Sequence, residues 1–370
     1  MVSFARWWEV RDRQQAESRM IVFDKTEFGQ NESGLRFERQ ASMMDMFATV
    51  GYADLQKKLN WELPSHGFAW SDCGDLMSNG CMNLESHPDH KVFVRLGKKS
   101  CHRRECPVCF EFWASKEGES ALIRMASFVS GRDGVQDAIF KLKHENRKRP
   151  SSVFHKALVS ELDMYCRQSK RKIIHVVLSP PQDLAMEKHR DYEKARRLAY
   201  SIAKSSGLYA GSLIFHPYRL KCASCGATIP DYLKECPECQ SKHFEWFWSP
   251  HFHVLGLGWI VQTKEGYSKH GWVVKNLKVR DSVFWTFQYL LSHCGISKGV
   301  HSTTWFGKLA YNKFGHIPQI GAMVAICPYC ERVLMPLEWI GGEDTGPPGL
   351  DESDVSKNEF LDDPLKWRTI

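Results

Sequence analysis

The chain has 370 residues, 43% of them hydrophobic and 12% aromatic, and carries a formal net charge of +7. That length and apolar share suffice for a sizeable core and exclude a disordered chain, while the mild basic excess favours polyanionic partners. No run of about eighteen apolar residues offers a membrane span, and the opening MVSFARWWEVRDRQQ lacks the apolar stretch of a signal peptide, so a cytoplasmic protein without membrane contact is expected.

Residues 1–70 suggest some helix and permit no firmer assignment. Residues 71–165 form a cysteine-rich module leading into helices. Here Cys101-His102-Arg103-Arg104-Glu105-Cys106-Pro107-Val108-Cys109 places three thiols at zinc-ligand spacing, with Cys81 taken as the fourth ligand. The main domain is expected over 170–295. Ile173 to Ser179 is a β-branched run ended by Pro180-Pro181, Asp183 to Lys204 has helical apolar spacing, and Tyr209 to His216 reads as a second strand. An insertion at 220–241 follows, in which Cys222-x-x-Cys225 and Cys236-x-x-Cys239 have the spacing of a closed, structural zinc ribbon. All 13 cysteines would suit disulfides in a small secreted chain, but grouping in C-x-x-C pairs points to metal. Cys166 and Cys294 stand apart and fit buried helix positions.

Beyond the ribbon, Ser249 to Trp259 contains Pro250-His251-Phe252-His253-Val254. Side chains alternate along a strand, so His251 and His253 project together while Phe252 packs behind. Two imidazoles on one face make half of a divalent-cation site. The next segment, DSVFWTFQYLLSHCG from Asp281 to Gly295, has an N-cap start and a glycine stop. On such a helix Trp285, Tyr289 and His293 fall four apart on one face, offering a phenol nucleophile and a third imidazole for Mg²⁺ or Mn²⁺. Elements in the order strand, helix, strand, strand, helix indicate an α+β domain with a split β-α-β, ferredoxin-like antiparallel sheet of the RRM or palm kind. Its helices are expected on one face, leaving the other open.

Residues 296–340 form a basic-aromatic extension with Trp305, Lys308, Tyr311 and Lys313, in which Tyr311 is the alternative nucleophile. It also holds the pair Cys327-x-x-Cys330, whose partners are Cys73, a histidine such as His316, or none. Gly, Pro and acidic residues dominate 341–370, which reads as a flexible tail.

His251-Phe252-His253 followed downstream by Tyr289 on a helix resembles the HUH endonucleases, specifically the single-tyrosine rolling-circle replication initiators of archaeal plasmids and viruses. The run CHRRECPVCFEFWASKE resembles their N-terminal metal module. Ser292 departs from the lysine that bacterial-type initiators often carry three residues after the tyrosine. The resemblance implies metal-assisted attack of Tyr289 on single-stranded or hairpin origin DNA, giving a 5′-phosphotyrosine and a 3′-hydroxyl primer. It implies a host helicase and polymerase as partners, since no G-x-x-x-x-G-K-[ST] provides a nucleotide site. An HUH-type transposase would share the same residues, and a non-catalytic zinc-ribbon DNA-binding regulator would need only the cysteines and the basic charge.

Overall fold

The computed structural model describes residues 61–181, 189–229, 233–261, 263–341 and 359–370. Residues 1–60, most of the N-terminal region, therefore lie outside the described residues, as does 342–358 of the acidic segment.

Two antiparallel sheets organise the described residues. In order, the elements are β1 (Leu76–Cys81), β2 (Val92–Lys98), helices α1 (Phe110–Ser130), α2 (Arg132–Glu145) and α3 (Ser151–Gln168), then β3 (Ile173–Ser179), α4 (His189–Ser205), β4 (Leu208–Cys222) and β5 (Thr228–Ile229). They continue with β6 (Phe244–Gly258), α5 (Lys264–His270), β7 (Val273–Val279), α6 (Val283–Leu291), β8 (Thr303–Gly307), β9 (Met335–Trp339), β10 (Glu359–Asp362) and β11 (Trp367–Thr369). No described helix is long and apolar enough to cross a membrane.

The larger sheet runs β5-β4-β6-β3-β7, with β8 pairing the first half of β4. Its centre is the β4–β6 hairpin, two 15-residue strands. β3 and β4 both run antiparallel to β6, so they are parallel to each other with β6 between, joined by α4. Likewise β6 and β7 flank β3 and are joined by α5. The short helix α5 and strand β7 went unrecognised in the sequence, because TKEGYSKH offers no apolar stripe and β7, exposed at Val273 and Val279, is an edge strand with few buried positions.

Both faces of this sheet are covered, which corrects the expectation of one open face. On the first, Tyr192, Ala195, Ala199 and Ile202 of α4 pack on Phe215, Phe252 and Val254. On the second, α1, α3 and α6 pack on Ala210, Ile214, Leu255 and Leu257. The period-2 alternation of β6 explains the split: Phe252 and Val254 face α4, whereas His251, His253, Leu255 and Leu257 face the other way. The helical layer covers the leucine end and leaves the histidine end at its margin.

The smaller sheet, β10-β2-β1-β9-β11, joins the first two strands of the described residues to the last three. It corrects the flexible-tail expectation for 359–370. Trp367 is buried and packs edge-on against Trp339 at 5.1 Å, around a core of Val92, Val94, Leu96 and Leu337. Burying a tryptophan and pairing two strands holds this segment in the sheet.

A candidate metal centre beside an exposed tyrosine

Strand register builds the centre. His216, near the middle of β4, lies directly across from His251 of β6, and ring centroids of His216 stand 5.3 Å from His251 and 4.3 Å from His253. One ligand atom from each of His216, His251 and His253 falls within 4.8 Å of the others. Both nitrogens of His216 are buried without a hydrogen-bond partner. The Leu290 carbonyl lies near enough to favour its protonation, yet short of hydrogen-bond geometry. A buried, unpartnered imidazole is costly unless something supplies the missing contact, and a cation does so.

Burial holds His216, His251 and His253 well below the ordinary histidine range, and their mutual proximity adds to it, as does Arg219 beside His251. All three are neutral imidazoles at pH 7, the form that ligates metals. His251 donates from Nδ1 to the Ser249 carbonyl at 2.8 Å, which leaves its Nε2 lone pair free. His175 of β3 extends the cluster: Arg280 donates to its Nδ1 at 3.0 and 2.7 Å, so Nε2 carries the proton and donates to His253 Nδ1 at 2.7 Å. These tautomers follow from the hydrogen-bond network, since a guanidinium only donates.

α6 brings the tyrosine. Ser282 caps it, accepting from the Trp285 amide at 3.1 Å. The buried Asp163 carboxylate of α3 accepts from the Val283 amide at 2.8 Å and from the Ser282 hydroxyl. Negative charge at a helix N-terminus adds to that anchor. At the far end the Gly295 amide donates to the Phe215 carbonyl at 2.7 Å, tying the exit of the helix to β4. Between these ties, Tyr289 meets His293 edge-on at 4.8 Å, and His293 meets His216 at 4.3 Å. Tyr289 is 41% exposed. Buried histidines, a linking histidine and a solvent-facing phenol thus stand in a row.

Of the expected trio, His251 and His253 lie together, and His293 stands beside them with its ring 4.3 Å from that of His216. His216 joins the pair on the sheet, whereas His293, in the turn after α6, is one ring further out on the tyrosine side. No motif announced His216, a lone histidine following the apolar run of β4; only its register opposite His251 gives it a role. Tyr311 is not brought to this centre. It follows β8, which pairs the opposite end of β4, and its ring lies under Arg124 at 4.7 Å.

Three further groups suit zinc. Cys222, Cys225, Cys236 and Cys239 converge at the tip of the β4–β6 hairpin, as the sequence predicts. Each knuckle closes on a residue of positive φ, Gly226 at 72° and Gln240 at 60°. Cys101, Cys106 and Cys109 meet Cys73, not Cys81. The reason is that β1 carries Cys81 away along the smaller sheet, while the turn before β1 returns Cys73, with Gly74 donating to the Lys99 carbonyl. Cys81 instead joins His87, Cys327 and Cys330, giving the third pair its partners, and His316 is not among them. Here Cys327 Sγ lies 3.2 Å from His87 Nε2, and His87 Nδ1 donates to the Lys91 carbonyl at 2.9 Å, aiming Nε2 at the thiols. Each group has one thiol drawn down to about 6. Burial opposes the shift in all three; Arg103 overcomes it at Cys101, backbone amides do so at Cys222, and the Arg332 amide with His87 does so at Cys330. Cys166 and Cys294 are buried outside these groups, as expected.

Comparison of the chain with protein-family models, with curated proteins and with solved structures returns no match to any of the three.

Proposed function

We propose that the chain is a DNA nickase and strand transferase that uses Tyr289 as its nucleophile beside a divalent cation held by His216, His251 and His253. The observation that carries this reading is the row of rings from the buried histidines through His293 to the exposed phenol. The strand order, with β3 and β4 flanking β6 and β6 and β7 flanking β3, supports the ferredoxin-like form of the domain.

Three neutral imidazoles suit a borderline cation such as Mn²⁺ better than Mg²⁺, which prefers oxygen ligands. When bound, that cation withdraws charge from the non-bridging oxygens of a phosphodiester. The protein's own groups do the rest. His293 stands against the Tyr289 ring, where it accepts the phenol proton. The phenolate oxygen attacks phosphorus in line, forming a tyrosyl-phosphate ester as the 3′-oxygen leaves and takes up a proton. The ester retains the bond energy, so a 3′-hydroxyl reverses the step without a nucleotide cofactor. A rolling-circle initiator needs both directions, and an element-end transferase would use the same centre. The cysteine groups would serve the zinc modules of either, and equally those of a non-catalytic DNA-binding regulator.

Incubation of labelled single-stranded DNA with the protein and Mn²⁺ tests the reading. Site-specific cleavage that chelation abolishes and that is lost in His216→Ala supports it. Tight binding without cleavage under any divalent metal would favour the regulator.

A further inference from the structure

At the end of β4 remote from the histidines lies an open cleft of about 360 Å³ lined by Lys204, Tyr209, Lys308 and Lys313. From Leu208 to His216 the strand advances eight residues, roughly 26 Å at the usual rise. The cleft is therefore separate from the metal centre, though on the same strand.

Its chemistry is cationic and aromatic. Gly307 has φ 65°, and a Cβ there would meet the Tyr209 carbonyl oxygen at 2.0 Å. Only glycine makes this turn, which lets the Lys308 amide donate to that carbonyl at 3.2 Å while the side chain lies over the Tyr209 ring at 5.6 Å. The pattern continues outward. Tyr209 neighbours Phe128 at 6.5 Å, with Arg171 over Phe128 at 5.5 Å, and Phe128 meets Phe314 at 5.4 Å, with Arg132 over Phe314 at 4.4 Å.

Among the described residues, Lys204, Lys308, Lys313, Arg132 and Arg171 form no ion pair with a carboxylate. Some cations elsewhere do: Arg147 and Lys148 share Glu331, and Arg95 and Arg368 pair with Glu359 and Glu338. Five unpaired cations interleaved with three rings constitute a stripe, and that alternation matches one polyanion. Phosphates meet the cations and bases stack on the rings.

We infer that this strip is a second contact for single-stranded DNA, placed about 26 Å along β4 from His216. The choice of DNA rests on the nickase reading; the charge and ring pattern stands without it. Tyr311, at the edge of the strip under Arg124, belongs to this contact and not to the chemistry.

The test measures anisotropy of a labelled oligo-dT of about 20 nucleotides, long enough to span both contacts, with no divalent metal added so that nothing is cut. The variant Lys204→Ala/Lys308→Ala/Lys313→Ala is compared with Lys99→Ala/Lys141→Ala/Lys242→Ala, which removes equal charge from exposed sites elsewhere. The cleft variant is expected to bind roughly tenfold more weakly and to lower the slope of log affinity against log salt by about 2, near 0.7 per lost phosphate contact. Tyr209→Ala should weaken binding by roughly tenfold through lost stacking. Equal losses in the two triple variants, or none in the cleft variant, would overturn the inference. Its failure is separable from that of the nickase reading. A cleft variant that binds normally sinks the strip whatever the nicking result, and a wild type that binds through the strip but never cuts sinks the nickase alone.

Discussion

The amide of Gly295 donates to the carbonyl of Phe215 at 2.7 Å, one residue before His216. Through that bond the exit of α6 is fixed against the strand that contributes the buried histidine, so His293 and Tyr289 are held in register with it. A Cβ on Gly295 would lie 2.9 Å from Pro217 and 3.0 Å from both Phe215 and Trp61. Gly295→Ala is expected to destabilise the fold by about 1–3 kcal/mol through this overpacking and to depress nicking further than the stability loss explains. Urea unfolding alongside the cleavage rate checks both.

Asp163 anchors the other end of the helix. Its carboxylate pKa is raised by burial, and the hydrogen bonds from Ser282, Val283 and Phe284 pull against that rise. Asp163→Ala leaves buried donors unsatisfied and should cost about 1–3 kcal/mol. Asp163→Asn, which retains one acceptor oxygen, should cost less, and thermal melts of the two variants would show the order.

Burial depresses His175, His216, His251 and His253 well below the ordinary value of 6.5. The unfolded chain therefore takes up protons at these positions below about pH 6.5 while the folded chain does not, and stability rises with pH across that window. Metal-free protein should lose thermal stability steadily from pH 7 to pH 5. His216→Phe should flatten part of that dependence, and unchanged steepness would show that His216 is not responsible for it.

Zinc content should be three per chain, one for each cysteine-rich group. Cys73→Ser and Cys81→Ser should each lower it by one, and His316→Ala should leave it unchanged. In each group one thiol is drawn down to about 6 before any metal binds, and zinc holds its thiolate ligands against protons further, so zinc should be retained at neutral pH and released on acidification. Metal analysis after dialysis at a series of pH values reads this directly.

What the sequence made legible was chemistry carried by neighbours in the chain. The paired faces of His251 and His253, the i, i+4 placement of Tyr289 and His293, the Ser282 cap and the cysteine ribbon all follow from periods of two, of 3.6 and of the C-x-x-C turn. What stayed hidden depends on pairing between distant segments. His216 acquires its role from the strand opposite it, in a register that the β4–β6 hairpin sets. Cys73 and Cys81 lie eight residues apart and are equally plausible partners for Cys101, until β1 separates them along a sheet. The strands at 359–370 exist because β2 and β9 offer edges to pair with, and nothing in an acidic, proline-bearing segment announces those edges.

Attack by Tyr289 would leave a covalent protein–DNA adduct, stable to SDS, after incubation with Mn²⁺ and single-stranded DNA. An adduct that mass spectrometry maps to Tyr289 is expected, present in Tyr311→Phe and absent in Tyr289→Phe, with DNA affinity unchanged in Tyr289→Phe. An adduct on another residue, or cleavage that persists in Tyr289→Phe, would contradict it.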